Sequence, residues 1–163
     1  MRLRLVARLL TEQNLKLNME EKIIRTLNWY YYGVMVVSLI VLSVMYYLFM
    51  HQMYTPIDPM SELGTILQTV AIAATLLGIV VGLYLIKWRK PETLEQYKDL
   101  AIGRILMVGG TMPMSLCFFY LLGGYRPLMW IAAMAAVAWY FTKPTLGKME
   151  EEMKPKDPNE ETY

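Results

Sequence analysis

Long apolar stretches alternate with polar segments along this chain of 163 residues. Four apolar stretches, at about residues 30–50, 63–86, 105–122 and 128–142, separate five polar segments. About 20 apolar residues in helical conformation cross a hydrocarbon core of ~30 Å, so stretches of this kind predict transmembrane helices. We therefore predict an all-α integral membrane protein, with four transmembrane helices in two hairpins and amphipathic helix segments outside them.

The basic residues are confined to alternate polar segments. Of the sixteen Lys and Arg residues, fifteen lie in the first, third and fifth segments, and only Arg126 lies in the other two. Basic residues are enriched on the cytoplasmic side of membrane proteins. We therefore expect a multi-pass protein of a bacterial inner membrane, with its N and C termini in the cytoplasm.

The same pattern divides the chain into three parts. Residues 1–28 are predicted to form a cytoplasmic, amphipathic N-terminal segment of one or two short helices. Residues 29–142 are predicted to form the four-helix transmembrane domain. Aromatic belts should mark its two interfaces, one with Trp29, Tyr30, Tyr31 and Tyr32 and the other with Tyr46, Tyr47 and Tyr54. Residues 143–163 form a charged cytoplasmic tail, which ends in a run of Pro and acidic residues that we expect to be disordered.

Two details modify the helices. Pro91 suits the first turn of a short cytoplasmic helix, which should run into the third span. Within that span, Pro113 lacks the amide that would bond to Gly109, so we expect a kink there. The fourth stretch is short, and a re-entrant segment is an alternative to a full span. Lys90-Pro91 and Lys143-Pro144 follow the second and fourth stretches, and this similarity would fit either an internal repeat or chance.

Small residues recur at helical spacing on two of the stretches. Ala74, Gly78 and Gly82 lie four residues apart on the second, and Ala132 and Ala136 lie four apart on the fourth. Small side chains allow two membrane helices to approach closely. We predict that these five residues are helix-packing positions and that the groove on the second stretch is the main packing surface.

The second stretch also carries the most polar residues of any predicted span, namely Gln68, Thr69 and Thr75. A polar side chain facing lipid is costly, so these residues should face another helix or water. They would then form either interhelical hydrogen bonds or one wall of a polar pathway.

Reactive groups are scarce. No acidic residue lies well inside a predicted span, and Cys117 is the single cysteine. His51 is the single histidine, and with Asp58 and Glu62 it would make at best a weak metal site on an outer loop. We predict no catalytic residue, no metal and no cofactor, and the basic residues flank membrane segments in a manner that does not suit nucleic-acid binding.

Packing grooves without reactive groups indicate a non-catalytic accessory, assembly or scaffolding protein. It would act through helix–helix packing, with the lipid bilayer around it and with other membrane subunits, or itself as a homo-oligomer, as partners. The alternative is a small transporter or channel whose pathway includes Gln68, Thr69 and Thr75. A membrane enzyme that uses His51, Asp58 and Glu62 is a third, weaker hypothesis.

Overall fold

The computed structural model describes the backbone of residues 2–154 and the side chains of residues 12–154. Over these residues the chain forms five α-helices and no strand. They are α1 (Arg2–Met50), α2 (Glu62–Arg89), α3 (Leu94–Leu121), α4 (Arg126–Tyr140) and α5 (Leu146–Met153). The predicted all-helical fold is confirmed, while the predicted disorder of the chain end lies outside the described residues.

Three of these helices, α1, α2 and α3, are long and apolar enough to cross a membrane. The fourth apolar stretch forms α4, which has 15 residues. At 1.5 Å per residue this helix is about 22 Å long, shorter than a hydrocarbon core of ~30 Å. The described residues therefore provide three candidate spans by length, and α4 falls short of the fourth.

The N-terminal segment differs from the prediction. Instead of separate short helices before the membrane, α1 runs without a break from Arg2 to Met50. Residues 2–50 contain no proline, and Leu, Lys, Glu and Arg, which are good helix formers, dominate the first half. The amphipathic segment and the first span thus share one helix, because nothing between them stops it.

The ends of the other helices follow from local chemistry. The hydroxyl of Ser61 accepts a hydrogen bond from the amide of Gly64 at the start of α2, and Thr93 accepts one from the amide of Gln96 at the start of α3. Such caps satisfy amides that have no partner within the helix. As predicted, the helix that follows Pro91 continues directly into the third span, but it begins at Leu94, so Pro91 precedes the Thr93 cap and does not lie in the first turn.

The central helix is α3, which packs against α1, α2 and α4. Its most buried face follows the alternating spacing of four and three residues that keeps one side of a helix toward its neighbours. The residues of this face are Tyr97, Ala101, Arg104, Val108, Thr111 and Ser115. In contrast, α1 and α2 share almost no contact. The predicted first hairpin is therefore not a packed pair, because α3 packs against both of its helices.

Candidate functional site

The groove of small residues on α2 lies against α3. A Cβ atom built on Gly78 would lie 2.6 Å from Cγ2 of Thr111, and one built on Gly82 would lie 2.5 Å from Cγ2 of Val108. Ordinary carbon contacts are about 3.5–4.0 Å, so a side chain at either position would push the helices apart. Ala74, one helical turn before Gly78 on α2, is half-buried. The two glycines therefore serve packing within the chain, and their surface is not open to a partner.

A polar layer crosses the same interface. The hydroxyl oxygens of Thr75 and Ser115 are 2.8 Å apart, and both residues are fully buried. Thr75 also lies within hydrogen-bond distance of the Ala71 carbonyl, and Ser115 of the Thr111 carbonyl. Each hydroxyl has one hydrogen to donate. One hydroxyl donates to the other, and the second donates to a backbone carbonyl of its own helix, so both side chains have partners within the protein. Thr75 takes the interhelical role, one of the two that the sequence left open.

The other two residues of the predicted polar pathway lie elsewhere. The side-chain amide of Gln68 donates to the carbonyl of Pro59 at 2.7 Å, which ties α2 to the preceding loop. Thr69 is exposed, and its hydroxyl donates to the carbonyl of Thr65 in its own helix. The structure therefore does not bring Gln68, Thr69 and Thr75 together along one path.

The alanines predicted as packing positions on α4 lie toward the bundle. Ala132 is buried and Ala136 is half-buried, and α4 contacts both α3 and α2. Near the end of α4, the Trp139 ring stacks on Tyr31 with centroids 4.2 Å apart and an angle of 7° between the planes. Tyr31 is buried, so it is a packing residue and not part of the interfacial belt to which the sequence pattern assigned it.

The three candidate metal ligands near the loop between α1 and α2, which the structure describes in full, do not form a cluster. The ring of His51 lies beside Tyr47, with centroids 4.3 Å apart, and a carboxylate oxygen of Asp58 accepts from the amide of Met60. Glu62 is exposed at the start of α2. In the described part of the chain, no three His, Cys, Asp or Glu side chains lie close enough to hold a metal ion.

A buried ion pair, which sequence reasoning missed, joins α3 to α5. Arg104 is 4% exposed, and its Nη1 donates to Oε1 of Glu152 at 2.6 Å. The hydroxyl of Tyr97 donates to the other carboxylate oxygen at 3.0 Å. In the sequence, the one indication of this burial is that Arg104 has the helical spacing of the buried face of α3. Its partner is 48 residues away along the chain.

Lys148 lies near this pair, in α5. Burial, followed by the positive charge of Arg104, lowers the pKa of Lys148 from its ordinary value. Its ammonium group donates to the carbonyl of Phe141 just beyond the end of α4. Together with Met149, which is buried, these contacts hold α5 against the bundle. The arrangement contains charges that stabilise a docked helix but no nucleophile with an adjacent base.

Two cavities border α1. The first, of about 500 Å³, is formed by Glu21, Arg25, Asn28, Trp29, Tyr32 and other residues, and we call it the interfacial pocket. The second, of about 440 Å³, lies between α1 and α3, and we call it the α1 groove. Its lining includes Gly33, Val34, Val37, Leu106, Gly110 and Pro113. A Cβ atom on Gly33 or Gly110 would meet no atom within 4 Å, so the groove is open at both glycines.

Comparison of the chain with protein families, characterised proteins and solved structures finds no match.

Proposed function

We propose that this chain is a non-catalytic accessory or assembly protein of a membrane complex, and that a transmembrane helix of another subunit packs into the α1 groove. The carrying observation is that this groove presents glycine on both of its walls, Gly33 and Gly110, with open space above each. Helices associate in lipid where small residues let backbones approach, so this surface is suited to receive a helix.

The position of α1 supports the same proposal. Only 6% of the residues in its most apolar stretch are buried, compared with 39% for α3. On the other side of the bundle, the groove that contains Gly78 and Gly82 is already filled by α3. The surface proposed for a partner is therefore the α1 groove and not the groove that is most conspicuous in the sequence.

In this proposal the chain lies in a bacterial inner membrane with both termini in the cytoplasm, as the distribution of basic residues favours. The short α4 would cross as the fourth span with help from flanking residues. Arg126 at one end and Lys143 at the other have long side chains that reach the interfaces while the bilayer thins locally.

The experiment is purification from native membranes in mild detergent, with mass spectrometry of the proteins that remain bound. Gly33→Leu and Gly110→Leu fill the groove, whereas Gly147→Leu makes the same change at an open position on α5. A stoichiometric membrane protein should accompany the wild type and Gly147→Leu and be absent from both groove variants. Release of a second copy instead would identify a homo-oligomer, and a wild type without any partner would refute the proposal.

The transporter alternative has less support, because its three polar residues have separate surroundings. Flux into vesicles tests it directly. Gln68→Leu should abolish uptake if the side chain lines a pathway, and unchanged uptake would exclude that role.

A further inference from the structure

The interfacial pocket contains acidic, basic and aromatic side chains within a short section of α1. It has a volume of about 500 Å³, within the range of about 300–1,000 Å³ that is usual for small-molecule sites. Leu146, at the start of α5, forms part of its wall. The pocket is therefore a cleft between two helices and not merely one exposed helix face.

The charges in this pocket have no ion-pair partner among the residues that the structure describes. Glu21 and Arg25 are one helical turn apart and could pair with each other. They do not form an ion pair. Among the described residues, the one ion pair within 4 Å joins Arg104 and Glu152. A carboxylate and a guanidinium group thus both lie free at the pocket.

Asn28 adds an unmet hydrogen-bonding requirement. Its side-chain carbonyl oxygen is buried, yet no donor in the described part of the chain reaches it. A buried acceptor without a donor costs free energy, so it favours a ligand that brings an N–H or O–H group. The pocket therefore calls for an anionic group near Arg25 and a hydrogen-bond donor near Asn28 or Glu21.

The order of these groups along α1 matches the layers of a membrane surface. Trp29 and Tyr32 are exposed aromatic residues at the edge of the apolar stretch, as in an interfacial belt. With a rise of 1.5 Å per residue, Arg25 lies about 6 Å and Glu21 about 12 Å farther out along the axis. From the membrane outward, the side chains are thus aromatic, then cationic, then anionic. A zwitterionic phospholipid presents the complementary order of glycerol, phosphate and ammonium.

We infer that the interfacial pocket binds the headgroup of a phospholipid that carries a primary ammonium, as in phosphatidylethanolamine. Arg25 binds its phosphate, and Glu21, one helical turn farther from the membrane, accepts hydrogen bonds from its ammonium. A trimethylated headgroup has no N–H to donate, and a purely anionic headgroup brings no cation to Glu21. This site depends on insertion of α1 in a membrane but not on the proposed protein partner.

The test is a lipid competition with the full chain in bilayer discs of equal parts phosphatidylethanolamine, phosphatidylcholine and phosphatidylglycerol. Native mass spectrometry after release from the disc reports which lipids stay bound. We expect retention of the primary-ammonium lipid about fivefold above the trimethylated one, the scale of a partly exposed charge interaction. Glu21→Gln should remove this preference, whereas Arg25→Gln should reduce retention of all three lipids.

Two matched controls lie on the same helix outside the pocket. Glu12→Gln and Lys16→Gln alter the same kinds of charge, and both should retain lipid like the wild type. Far-UV circular dichroism establishes that each variant is folded, and Glu21→Asp, which keeps the carboxylate, should restore the preference. Equal retention of the three lipids by the wild type, or a preference that survives Glu21→Gln, would overturn the inference.

Discussion

Gly82→Ala should destabilise this protein, although alanine is the better helix former. The new methyl group would lie 2.5 Å from Cγ2 of Val108 and 3.4 Å from its backbone nitrogen. Reaching an ordinary contact of about 3.5–4.0 Å requires α2 and α3 to separate by about 1 Å. The change therefore affects the packing of the whole α2–α3 interface.

The magnitude follows from two opposing effects. Removing a helix-interior glycine gains up to about 1 kcal/mol. Overpacking a tight interface costs about 1–3 kcal/mol. For Gly82→Ala the net loss is then about 0–2 kcal/mol. At Gly33 only the gain applies, because nothing lies within 4 Å of the new methyl group. The two variants should differ in unfolding free energy by about 1–3 kcal/mol.

The assay is reversible unfolding in mixed micelles, followed by far-UV circular dichroism as the denaturing detergent increases. Wild type, Gly82→Ala, Gly33→Ala and Gly110→Ala are measured in the same micelles. The expected order places Gly82→Ala below the wild type, with the other two at or above it. If Gly82→Ala were as stable as Gly33→Ala, the close approach of α2 and α3 at this residue would be wrong.

Three further predictions concern the buried polar groups. Thr75→Val and Ser115→Ala should each cost about 0.6 kcal/mol, and a double-mutant cycle should show that the losses are coupled, since one hydrogen bond joins the residues; additive losses would refute the bond. Glu152→Ala should lower the free energy of unfolding by about 3 kcal/mol, because it leaves the Arg104 charge buried and unpaired. The double variant Arg104→Met with Glu152→Leu should recover most of that loss. Unfolding titrations measure both. The pKa of Lys148 is lower in the folded state, so the unfolded chain binds more protons near that pKa and stability should rise as pH increases through it. Lys148→Met should remove that rise in stability measured against pH.

Sequence patterns were informative where a feature is local. Apolar stretches predicted the helical fold, and Pro91 indicated that a helix begins nearby, although α3 begins three residues later, at Leu94. The four-residue spacing of Gly78 and Gly82 indicated a close helix approach. It could not show that α3 of the same chain fills the groove, because the spacing on one helix carries no information about its neighbour.

Features that depend on distant residues could not be predicted. Arg104 is the last of the charged residues that precede the third apolar stretch, and apart from its helical spacing nothing in the sequence near it indicates that it is buried. Its burial is possible because Glu152, far along the chain, neutralises it. In the sequence, Tyr31 cannot be distinguished from its neighbours Tyr30 and Tyr32. Only the fold shows that it stacks on Trp139. The open space at Gly33 is likewise a property of how α1 and α3 pack, and no single helix shows it.

The most direct test of the proposed function is site-specific photo-crosslinking in native membranes, with the photoreactive residue at position 37 or 130. Val37 lies in the α1 groove, whereas Trp130 is an exposed apolar residue on α4, outside that groove. We expect one discrete protein adduct from position 37, identified by mass spectrometry as another membrane subunit, and none from position 130. Adducts with lipid alone at position 37, or a protein adduct confined to position 130, would contradict it.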